Sequence, residues 1–139
     1  MNLSALVTDN ITEILIRIVK FTQTRHKILI RNIINIRNPE FIPKELEVNE
    51  FSSLLSHAVD EHVRNQRLVL SDTENIKFDA GGRLEVRPVI DELSKKLFKE
   101  NREKYLEWQM DKLWENSLNQ KLAAELLRKK QGAFSPNKP

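Results

Sequence analysis

The chain contains no cysteine, three glycines, five prolines and a single tyrosine among 139 residues. Without cysteine, disulfide staples, thiolate nucleophiles and thiolate zinc sites are all excluded. Scarce glycine argues against phosphate-cradling loops: Ala80-Gly81-Gly82 lacks the further glycines and the Lys-Ser/Thr that such a loop needs, and reads as a turn. Aromatics make up 6% of the residues and charged side chains 31%, a balance closer to a helical chain than to a compact α/β enzyme. No run approaches the ~18 apolar residues of a membrane-spanning helix. The first twenty residues carry Asp9 and Glu13 before any basic residue, unlike a cleavable signal peptide. The net charge of +3 is mildly basic, but both signs interleave along the C-terminal half, as on solvated helix faces.

What the chain does have is helical periodicity. Leu3 to Arg37 holds neither glycine nor proline, and its apolar residues recur at heptad spacing. Val7, Ile14, Phe21 and Ile28 fall on one seam row, and Ile11 and Ile18 on the other; Arg25, Asn32 and Asn35 are their next members. Polar residues in a seam weaken packing and fix register and partner choice. They are therefore expected to select helical neighbours, and leucine at 32 and 35 is expected to leave the isolated helix at least as stable. Pro39 and Pro43 end this helix, with Glu40 to Ile42 extended between them.

Phe51, Leu54, Leu55, Ala58, Val59 and Val63 predict a second helix within residues 45–69, with Asn49 as a candidate cap. Ile76, Phe78, Leu84 and Val86 alternate around Asp79 to Arg83, which is hairpin chemistry. Pro88 to about Lys130 reads as one long helix, with Pro88 in its first turn and Gly132 as its stop. Its apolar residues step mostly by four, so the stripe drifts around the axis. Trp114 is expected in the core beside Met110 and Leu118, and Trp108 on a polar face, either as a snorkelling surface residue or as an interface anchor.

The expected fold is mainly α: two long terminal amphipathic helices paired as an elongated bundle or coiled coil. They divide the chain into an N-terminal helix (1–38), an irregular middle (39–88), a C-terminal helix (89–131) and a disordered tail (132–139). No catalytic set emerges. His57 and His62 are five residues apart, whereas helical metal ligands share a face at four, so both are expected as solvated residues. Glu100, Glu103, Glu107 and Asp111 alternate with lysines and arginine as exposed helical pairs. Neither metal nor cofactor is expected.

The motif Ile28-Leu29-x-x-Asn32-Ile33-x-Asn35-x-x-x-Pro39-x-Phe41 resembles the N-terminal signature of bacterial flagellar axial proteins. Lys44, Phe51 and Leu54 continue the pattern of the basal-body rod proteins of FlgB type, and Asn101-x-x-x-Tyr105 resembles that family's C-terminal signature. The resemblance implies a structural, non-enzymatic protein of the proximal rod. Such a protein is exported by the flagellar type III secretion apparatus without a cleaved peptide. It assembles helically with itself, with other rod proteins and with the protein joining rod to membrane ring. Arg25, Ile28, Asn32, Ile33, Asn35, Pro39, Phe41, Asn101, Tyr105 and Trp108 are then the candidate assembly residues. The alternative is a small basic helical adaptor or nucleic-acid-binding protein using Arg128, Lys129 and Lys130.

Overall fold

The computed structural model describes residues 3–132, with side chains from Asn10 onward. The elements in order are α1 (Leu3–Ile34), β1 (Lys44–Glu45), α2 (Val48–Asn65), β2 (Ile76–Phe78), β3 (Leu84–Val86), β4 (Val89–Ile90), α3 (Glu92–Glu100) and α4 (Arg102–Gly132). The described residues are mainly helical, with two small antiparallel sheets.

Helix α1 runs unbroken because nothing in it removes a backbone donor or frees the backbone. Beyond Ile34 the chain unwinds through turns, Ile36 N–H bonding to the Ile33 carbonyl and Asn38 N–H to that of Asn35. Pro39 forbids any resumption. Glu40 still belongs to a turn, so the extended stretch begins only at Phe41. Helix α2 starts within the expected window, but Asn49 lies inside it; Glu47 is the cap residue and makes no capping bond through its side chain.

The β2–β3 hairpin forms where the apolar alternation places it, pairing Ile76 with Val86 and Phe78 with Leu84. Its tip is fastened to α1: Arg17 donates to the Asp79 carbonyl at 2.9 Å and Lys20 to that of Gly82 at 2.7 Å. Gly82 has φ +77°, and a Cβ there would stand 3.3 Å from Ile16. Both the left-handed backbone and the close approach therefore call for glycine. Phe21, Leu46, Phe51 and Ile76 form the core between α1, α2 and the hairpin, with Phe21 and Phe51 stacked at 3.9 Å. Burying each such side chain stabilises the fold by roughly 1.5–3 kcal/mol.

The C-terminal region departs from a single helix over 89–131. Pro88 precedes a short strand, and β4 pairs with β1 through Lys44–Ile90 and Glu45–Val89. Asp91 then caps α3 by accepting from Ser94 N–H. At Asn101 the backbone turns extended (φ −157°, ψ 95°) for one residue, and α4 begins. The break leaves few backbone groups unserved. Arg102 Nε donates to the Phe98 carbonyl, and Lys104 N–H finds the Asn101 side chain. Helix α4 lies antiparallel along α1: Asn116 donates to the Thr22 carbonyl at 2.8 Å, and Tyr105 to that of Asn32 at 2.7 Å. Gly132, expected to stop the helix and open a disordered tail, is the last residue of α4; the rest of that tail, 133–139, lies outside the described residues.

Candidate assembly site

Where α1, the β1–β4 ribbon, the α3 cap and α4 converge, polar side chains form one connected network. Arg25 grips Glu45 with two bonds of 3.0 Å each. Lys112 reaches Glu45 at 3.4 Å and Asp91 at 2.7 Å. Asp91 accepts from the Ser94 hydroxyl at 2.5 Å, and Ser94 in turn accepts from Gln109 at 2.8 Å. The Gln109 carbonyl accepts from Asn32 at 2.9 Å, and the Asn32 amide also brackets the Lys44 backbone, donating to its carbonyl and accepting from its N–H.

Two cations and two carboxylates balance within this network. Burial alone would raise the Asp91 pKa, but the hydrogen bonds from Lys112 and Ser94 outweigh it and hold the carboxyl below its ordinary value. Tyr105 is pushed the opposite way, well above a normal phenol, by burial and by the nearby Asp91 charge. Its ring meets Phe98 edge-on at 4.9 Å, and Phe98 lies 6.2 Å from Phe41. Two motifs at opposite ends of the sequence thus meet in one clasp.

The candidate residues divide into two groups. Arg25, Asn32 and Tyr105 are buried, and their polar groups are satisfied within the chain. They set the register of α1 within the chain: Asn32 does meet a helical neighbour, but it is α4 of the same molecule, and Arg25 meets the Glu45 carboxylate of β1 where a contact with another subunit was expected. Leucine at 32 is accordingly a disruptive change and not a tolerated one. Ile28, Ile33, Asn35 and Phe41 are half-buried; Asn35 does not join the clasp and bonds only to the Arg31 carbonyl of its own last turn. Pro39 and Asn101 are exposed, and Trp108 is 38% exposed with the Lys112 ammonium 5.0 Å from its ring.

Glu45, Asp91, Ser94, Gln109, Lys112 and Asn116 were not among the sequence candidates. A signal existed for part of this set: Gln109, Asn116 and Ala123 are seven residues apart, and all three are buried against α1. The leucine stripe, stepping by four, is the stronger apolar signal in this helix and crosses that polar heptad row.

That stripe is the second feature. Trp114, expected in the core, is 69% exposed, and Met110, Leu118, Leu122 and Leu126 lie outward with it. Helix α4 therefore turns polar and small residues inward and its large apolar residues outward. The reason is rotation: steps of four residues advance about 40° past each full turn, so this ridge crosses the back of the helix while steps of seven stay near the inner face.

His57 is exposed as expected. His62 is not: it is buried under α1, with its Nδ1 3.4 Å from the Asn10 amide. Among the described residues no group of three His, Asp or Glu gathers to hold a metal, and no helix is long and apolar enough to cross a membrane. The chain matches no protein-family model, no curated protein and no solved structure.

Proposed function

We propose that the chain is a structural, non-enzymatic subunit of a helical axial assembly, namely the proximal rod of the bacterial flagellar basal body. In this reading it is exported through the flagellar type III apparatus and joins other rod proteins and the ring junction through its paired terminal helices, which act as an elongated coiled-coil-like bundle. The observation that carries the proposal is the outward ridge of α4. Met110, Trp114, Leu118 and Leu122 are each more than half exposed, at 52%, 69%, 52% and 59%. Contiguous apolar surface of this kind marks an interaction site, and a ridge of i±4 residues is the shape that packs into the groove of another helix. The meeting of Asn32 with Tyr105 supports the same reading, because it joins the two stretches that resemble the axial-protein signatures.

The test is genetic and biochemical. Deletion in the source organism should abolish rod assembly and swimming, and antibody against the chain should label purified basal bodies. Swimming deletants with intact basal bodies would sink the proposal. The rival reading, a nucleic-acid-binding adaptor, draws on exposed Arg128 and Lys129 near the end of α4. It requires binding that falls steeply with salt yet survives physiological ionic strength.

A further inference from the structure

At about 100° per residue, Met110 lies about 160° around α4 from Leu126, and Trp114 about 120° from it. The outward ridge thus ends on two different flanks. On one, Leu122 and Leu126 turn toward α1 and α2, where with Leu15, Phe21 and Leu55 they line a mainly apolar groove of about 460 Å³ whose wall also holds Ser52 and Glu115. On the other, Met110 and Trp114 stand clear of that groove. One molecule therefore carries an apolar knob and a mainly apolar slot on separate faces. Charge separates along the helix axis: exposed Glu107 and Asp111 sit one turn before Met110 and Trp114, whereas Lys129 and Lys130 lie one turn beyond Leu126.

We infer that Trp114, flanked by Met110, seats in the α1–α2–α4 groove of a second copy of this chain, with Glu107 and Asp111 approaching that copy's Lys129 and Lys130. The inference rests on the subunit reading above and names the surfaces that join like copies. A tryptophan entering an apolar groove can bury roughly 150–250 Å², and such aromatic anchors dominate binding energy. Pairing of two α4 ridges with each other would cover the knob but leave the slot empty. A knob in a slot covers both. Because the two surfaces differ, the contact is head-to-tail and leaves a free knob and a free slot after each addition, so it propagates.

The experiment is sedimentation velocity on the full chain up to millimolar concentration, with Trp114→Glu as the knob variant and Ser52→Arg as the slot variant. Both positions are exposed, and circular dichroism verifies that each variant folds. The wild type should self-associate, and each variant alone should associate at least about tenfold more weakly, the loss typical of a central anchor. An equimolar mixture should regain association but stop at heterodimers, since one variant keeps its slot and the other its knob. Three results would overturn the inference: a wild type monomeric throughout, Ser52→Arg associating like wild type, or a mixture that stays monomeric. The second of these would indicate ridge-on-ridge pairing. Failure of the rod reading shows elsewhere, as absence of the chain from basal bodies whatever its self-association.

Discussion

Asn32 on α1 and Gln109 on α4, 77 residues apart in sequence, join their carboxamides at 2.9 Å in the interior of the molecule. Because the same Asn32 amide brackets the Lys44 backbone, one side chain fixes α1 against both the β1–β4 ribbon and α4. Replacing it with leucine strands the Lys44 groups and the Gln109 carbonyl without partners. The expected loss is roughly 2–4 kcal/mol, since each buried unsatisfied group costs about 1–3. A urea titration of Asn32→Leu against wild type measures it. Asn35→Leu removes only a bond at the helix end and should shift stability by less than about 1 kcal/mol.

Tyr105 provides a spectroscopic reporter, because the chain contains no other tyrosine. Its phenol is fully buried, donates to the Asn32 carbonyl and has a raised pKa. In the folded protein the phenolate band should be absent at pH 10, where an ordinary phenol is half ionised. It should appear at that pH once denaturant is added. By linkage, a raised folded pKa means the contribution to stability is fully present below about pH 10 and is lost as the pH climbs beyond it. Half-ionisation of the native protein near pH 10 would contradict the burial described above.

Asp91 makes the acid-side counterpart. Its folded pKa lies below the ordinary 3.8, so its charged form stabilises the fold at neutral pH. That contribution should hold above about pH 4 and disappear as the pH falls through the depressed folded value. Asp91→Asn keeps a cap acceptor for Ser94 but removes the partner charge of Lys112. The variant should be less stable than wild type at pH 7, and the two curves should converge in acid. Parallel curves down to pH 2 would exclude Asp91 as the source of the acid sensitivity.

Parts of this fold were legible because local chemistry decided them. Pro39 stops α1 in any tertiary setting, and the alternation of Ile76 to Val86 around Gly81-Gly82 has one half-buried solution. The break at Asn101 was not legible. No glycine or proline marks it; side-chain contacts bridge the break, Phe98 on Tyr105 and Gln109 on Ser94, and Arg102 beside it bonds to the Ile36 carbonyl 66 residues away, a partner no local window contains. The clasp was half legible. Arg25 and Asn32 announce themselves as polar residues in an apolar row, yet their partners Glu45 and Gln109 look like any surface residue until α4 folds back along α1.

Trp114 separates the outward ridge from a core most directly. A buried tryptophan replaced by alanine costs about 3–5 kcal/mol. At 69% exposure, Trp114 should cost the dilute monomer less than about 0.5 kcal/mol. Trp108, covering the Lys112 ammonium at 5.0 Å, is 38% exposed and should cost more, about 1 kcal/mol, through the lost cation–π contact and packing. Unfolding of Trp114→Ala and Trp108→Ala in urea, at concentrations where the chain is monomeric, ranks the two. If Trp114→Ala proved the more damaging, the ridge would belong to the interior of the monomer, and the case for an assembly surface on α4 would fall with it.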